Sequence, residues 1–204
     1  MPATSGPGAQ LIGSYLKTLL PRRSSLAMLG LGPTLPSGWV ANDVHERDSG
    51  PAVAATAAPS VVGAGTCSYL TGEDLDLAGG LSVASATEPL NFGNAHAALT
   101  LHAYGPGDAA KSLAEVRQSV TSACAWFTAL YPAGAVTVNV SATPVSGLGD
   151  EALLVSTAPQ GPYLGQEDLL VRRGDLMLSL NADNSTGSLP DLSPVAAALV
   201  PGMG

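Results

Sequence analysis

Apolar positions recur every three to four residues in three stretches of the chain and every second residue in several others. From Gln10 to Leu20 the pairs Leu11/Ile12, Tyr15/Leu16 and Leu19/Leu20 draw one stripe on a helix. Pro21 ends it, because proline has no backbone N–H to continue the ladder, and Arg22 and Arg23 follow at the helix's negative end. Leu81–Thr87 and Ala97–Tyr104 alternate as two strands around the turn Asn91-Phe-Gly-Asn94. Ser112-Leu-Ala-Glu115 has capping-box spacing and opens a long predicted helix. Its stripe is Leu113, Val116, Val120, Ala123/Cys124, Phe127 and Leu130, and Tyr131-Pro132 closes it.

Strands dominate the remainder. Val136, Val138 and Val140 alternate with Thr137, Asn139 and Ser141, and Glu151–Thr157 continues the pattern. Asp168–Arg173 and Leu176–Ala182 flank Gly174-Asp175, a two-residue connection suited to a tight hairpin. Ser193–Leu199 reads as a last helix between Pro190 and Pro201. Upstream, Thr71-Gly-Glu-Asp74 predicts a short capped helix, and Pro36-Ser-Gly-Trp39-Val seats one aromatic side chain on the domain. Residues 49–65 read as a meandering loop with room for one short edge strand. The sum is an α+β architecture: a central antiparallel β-sheet flanked by helices, in a single domain over residues 9–204, with residues 1–8 a disordered leader.

Composition narrows what such a domain could do. Of 204 residues 46% are hydrophobic but only 12% are charged, and 24 Gly with 16 Pro predict many turns. Net charge is −8, and six of the eight cations are Arg. That balance disfavours phosphate backbones and anionic headgroups, so no nucleic-acid partner is expected, and membrane contact only through a removed anchor or signal segment. No apolar run approaches the ~20 residues of a spanning helix.

Chemistry-bearing side chains are few. Cys67 and Cys124 lie 57 positions apart. One reading is a structural disulfide, which would stabilise the fold by about 4 kcal/mol and place it in an oxidising compartment. The alternatives are two buried thiols in a reducing one, and redox or metal chemistry. The disulfide is preferred, and it leads to an extracytoplasmic localisation, secreted or anchored at the outer face. No second Cys or His stands at ligand spacing beside either cysteine, so no metal is expected. His96 and His102 on one strand would stand about 20 Å apart, too far to share an ion, and His45 adjoins Glu46 in a loop. Nucleophile elbows, Ser-x-x-Lys and phosphate-binding Gly loops are absent, and no cofactor is implied. Gly147-Leu-Gly-Asp150-Glu151 reads as a turn into a strand. Arg173-Gly174-Asp175 spells an adhesion tripeptide but sits where a hairpin turn is expected.

One set of residues suggests a binding surface. Opposite the main apolar positions of their strands lie Thr100, His102, Tyr104, Asn139, Arg172, Met177, Ser179 and Asn181. If helices leave one sheet face partly uncovered, this mixed set would line a small-ligand cleft. A solvated outer face is the plainer alternative.

The order of these motifs resembles a known family. A leading helix ends in Leu-Pro, then come Pro-Ser-Gly-Trp39, a Ser/Gly-rich loop to Cys67-Ser-Tyr-Leu, and two strands. A helix follows with Cys124-Ala-Trp-Phe127, then Gly-Leu-Gly-Asp150-Glu-Ala and Leu-Val-Arg-Arg-Gly-Asp175. This arrangement is similar to the extracytoplasmic sensor-like domains of actinobacteria, found in lipoproteins and at the outer end of some receptor Ser/Thr kinases. The resemblance implies an antiparallel sheet flanked by helices, a cleft for a small ligand and no enzymatic activity. Members often carry two disulfides, whereas this chain can form one. The expected function is therefore a non-enzymatic ligand-binding or sensor domain whose partner is an unknown small molecule or cell-envelope protein. Two rivals stand beside it: a secreted hydrolase using His102 with a nearby serine, and an envelope interaction module.

Overall fold

In a computed structural model of the chain the described residues are 12–21, 33–42, 47–49, 67, 70, 81–132, 134–184 and 188–204. The leader over 1–8, Arg22 and Arg23, His45 and the short helix expected at Thr71 lie outside them, as does nearly all of the loop over 49–65.

Among the described residues nine strands form one antiparallel sheet. They are β1 (Trp39–Ala41), β2 (Arg47–Asp48), β3 (Ser82–Phe92), β4 (Ala95–Tyr104), β5 (Trp126–Tyr131), β6 (Gly134–Val145), β7 (Glu151–Pro159), β8 (Gln166–Arg173) and β9 (Leu176–Asn184). The spatial order is β1-β3-β4-β9-β8-β7-β6-β5, with β2 beside β3. Among the described residues three helices accompany them: α1 (Ile12–Leu19), α2 (Asp108–Thr121) and α3 (Ser193–Leu199), the last running into a 3-10 turn over Val200–Met203. After β4 the chain crosses the sheet as α2 and delivers β5 to the far edge. Four hairpins then walk back strand by strand until β9 docks on β4.

The molecule is mostly sheet, with less flanking helix than the sequence predicts. The largest difference lies at the long central helix. It begins at Asp108, beyond a Gly107 in the left-handed region (φ 80°), and ends at Thr121. Ser112 is buried inside it rather than capping it. Residues 126–131 are a strand, and Cys124 sits in the turn between. Leu113, Val116 and Val120 do form the helix's buried stripe, but Phe127 continues that spacing only by coincidence. Phe127 is also the inward residue of an aromatic-rich alternation, and as a strand it stands opposite Val138 on β6. A second difference is β3, which runs on to Phe92 through Pro89. The Pro89 carbonyl accepts from the Asn42 amide on the β1 side, so the missing N–H also faces that way and the β4 ladder loses nothing.

Trp39, the last helix and the cysteine pair follow the pattern. The strand β1 buries Trp39, whose ring lies 5.2 Å from that of Phe92. The α3 helix spans Ser193–Leu199 as predicted. Cys67 and Cys124 are joined as a disulfide with Cα atoms 5.5 Å apart.

Two cores lie on opposite faces. The back core, under α1, α3 and the C-terminal turn, holds Leu90, Leu99, Leu101, Leu169, Val171, Leu178 and Leu180. The front core, under α2 and the disulfide, holds Tyr104, Phe127, Val138, Val140, Leu153, Val155 and Leu170. The β3-β4-β9 half of the sheet therefore aims its apolar side chains backward, and the β5-β6 half aims them forward. In between, β8 is buried on both faces.

Candidate functional site

Side chains alternate along a strand, so the registers fix what shares a face. On the front, one row reads Thr87, Thr100, Ser179, Leu170 and Leu153 from β3 to β7. The next reads Ala98, Asn181, Asp168 and Val155. A third reads Ser85, His102, Met177, Arg172 and Glu151. The front face thus changes character across the sheet. It is apolar beneath α2 and polar over β3, β4 and β9.

Seven of the eight residues singled out from the sequence share this face: Thr100, His102, Tyr104, Arg172, Met177, Ser179 and Asn181. Asn139 does not join them. It lies on the back of β6, exposed and opposite Trp126 of β5, because the buried side of β6 is the front.

The polar group is enclosed. Thr100, His102, Ser179 and Asn181 are each no more than 5% exposed, and Asp168 is fully buried. The Asn181 amide donates to Asp168 Oδ1 at 2.5 Å, and the Thr87 and Thr100 hydroxyls lie 3.1 Å apart. The His102 ring stands 6.3 Å from that of Tyr104, and in register His102 faces Ser85 on β3 and Met177 on β9. Burying a carboxylate, an amide and two hydroxyls in mid-sheet is costly unless they meet polar partners, so the cluster is organised. Asp168 and Thr87 were not singled out from the sequence, yet a signal existed. A two-residue turn at Gly174-Asp175 fixes the β8–β9 register and sets Asp168 opposite Asn181.

Arg172 serves the other end of the face. Its guanidinium lies 3.1 Å from Asp150 and 3.8 Å from Glu151, and it donates to the Gly174 carbonyl at 3.3 Å. Glu151 also pairs with Arg117 of α2. The Gly174 amide donates to Asp150 at 2.7 Å. Gly149 passes so close that an added Cβ would lie 2.4 Å from the Arg172 carbonyl oxygen. The Gly-Leu-Gly-Asp-Glu and Arg-Arg-Gly-Asp motifs are therefore two halves of one clasp. The adhesion tripeptide is split by it: Arg173 turns to the back and donates to the Val200 carbonyl at 2.7 Å, while the Asp175 carboxylate accepts from the Gly107 amide.

Among the described residues no three His, Cys, Asp or Glu side chains are grouped to hold a metal, and no helix is long and apolar enough to cross a membrane.

No protein-family model matches the chain, and no curated protein does. Among solved structures it is similar to the extracellular domain of PknH from Mycobacterium tuberculosis. The TM-score is 0.56 at 13% sequence identity, over 93% of this chain and 95% of that one. At that identity the likeness is one of fold: this chain has the fold of an extracellular domain of a mycobacterial protein.

Proposed function

We propose that the chain is a non-enzymatic extracytoplasmic sensor or ligand-binding domain, from a secreted or lipid-anchored bacterial protein. Its ligand is an unidentified small molecule or a cell-envelope component. The observation that carries the reading is the enclosed polar field of Thr100, Ser179, Asn181 and Asp168 in mid-sheet, where a purely structural sheet would bury aliphatic side chains. Hydroxyl and amide groups beside one carboxylate suit a ligand of mixed hydrogen-bonding character, with Met177 and Tyr104 as its apolar border.

The disulfide and the fold likeness to an extracellular domain support the compartment. The hydrolase reading has one point in its favour, the register pair His102–Ser85.

Native mass spectrometry of the chain recovered from the envelope of an actinobacterial host tests the reading. A co-purifying small molecule, lost from Ser179→Leu while the disulfide-linked fold is retained, is the expected result. A mass equal to the polypeptide alone in every preparation, or hydrolysis of ester or peptide probes abolished by His102→Ala, would refute it.

A further inference from the structure

The edge strand β5 carries none of the devices by which proteins keep sheet edges from pairing. Charged side chains, prolines and bulges are the common ones. Between Arg117 and Asp150 there is no Asp, Glu, Lys, Arg or His at all, in a chain whose net charge is −8. The structure makes this neutral segment the β5–β6 end of the sheet. Among the described residues β5 pairs only with β6, in an unbroken register from Trp126 to Tyr131.

The direction of its free backbone groups follows from one hydrogen bond. The Ala125 carbonyl accepts from the Val140 amide, so Ala125 points its polar groups at β6. In an antiparallel strand alternate residues do the same, so Phe127, Ala129 and Tyr131 also face β6. Trp126, Thr128 and Leu130 then direct their N–H and C=O outward, over the edge. The same three side chains occupy the uncovered back face, and Trp126 and Leu130 are 63% and 89% exposed.

We propose that β5 is a self-pairing edge through which two copies of the chain join their sheets into one. A two-fold axis at Thr128 sets Trp126 opposite the partner's Leu130 and Thr128 opposite the partner's Thr128. Every outward donor and acceptor of the strand is then used, and the two most exposed large apolar side chains on it cover one another. A second copy is the occupant that fits, because the edge is complementary to itself under that rotation in hydrogen bonding, in apolar pairing and in lack of charge. A six-residue strand pair is small beside the ~1,600 Å² of a standard interface, so the dimer is a reversible one.

Sedimentation equilibrium of the full, oxidised chain from micromolar to millimolar concentration tests this, together with Thr128→Pro. Proline removes only an outward N–H and is tolerated at such an edge position, and an unchanged thermal midpoint shows that the fold is intact. Tryptophan emission gives a second readout, since Trp39 is buried and Trp126 is not. The expected result is a concentration-dependent dimer with a blue shift on association, weakened at least tenfold by Thr128→Pro. A monomer throughout, a dimer indifferent to Thr128→Pro, or a monomer that accepts a foreign extended peptide on this edge would each overturn it.

Discussion

Asp150 and Arg172 hold two turns together, 3.1 Å apart, with the same Asp150 oxygen accepting from the Gly174 amide. Half-exposed ion pairs contribute little by themselves, and the value here lies in the backbone amide that the carboxylate also satisfies. Asp150→Ala should cost about 1 kcal/mol in urea unfolding. Gly149→Ala should cost more, about 1–3 kcal/mol from its φ of +58° alone, with the approach of the Arg172 carbonyl added to that. Equal effects of the two substitutions would mean that the turns are not clasped.

The buried pair Asn181–Asp168 gives a second prediction. Asn181→Leu removes a donor from a carboxylate inside the sheet and should destabilise the protein by about 1–3 kcal/mol. Thr100→Val conserves shape and removes one hydroxyl, and it should cost less. Chemical denaturation of both variants checks the order.

Glu167 has its carboxyl raised above the ordinary 4.5, first by burial and then by the Asp191 carboxylate. An acid with a raised folded value contributes stability that is fully present below the unfolded value and is lost as pH rises through the folded one. Stability should therefore fall as pH climbs from 4.5 through the raised value. Glu167→Gln should flatten that fall and raise the thermal midpoint at neutral pH. An unchanged midpoint at neutral pH would show that Glu167 is well solvated.

Much of the fold was legible because its signals were local. Gly174-Asp175 marked the β8–β9 hairpin, and the Pro-bounded Ser193–Leu199 segment gave α3 to the residue. The pattern that predicts one helix across α2 and β5 has a definite cause: Phe127 satisfies period 3.6 counted from Val120 and period 2 counted toward Tyr131. Only the partner strand β6 decides between them. The candidate site failed at one position for a related reason. Alternation gives the two sides of each strand but not which side is shared between strands. Asn139 lies opposite Val138 and Val140, as Thr100 lies opposite Leu99 and Leu101, yet the apolar sides of β6 and β4 face different cores. That reversal arises because α2 covers the front of one half of the sheet while α1 and α3 cover the back of the other, a long-range arrangement that no window of sequence contains.

The disulfide ties the turn after α2 to residue 67 and closes a long loop, for which chain entropy gives about 4 kcal/mol. Cys124→Ser should therefore lower stability by several kcal/mol and leave a Cys67 thiol reactive on unfolding. Equilibrium denaturation with and without reductant would show the same difference in the parent chain.

The compartment is the premise of the whole functional reading, and thiol counting reaches it most directly. The chain is exported by an actinobacterial host, denatured without reductant, alkylated and weighed. The account predicts no added alkyl groups until a reductant is supplied, and then two, on Cys67 and Cys124. Two alkyl groups on the unreduced protein would contradict it and return the chain to a reducing compartment.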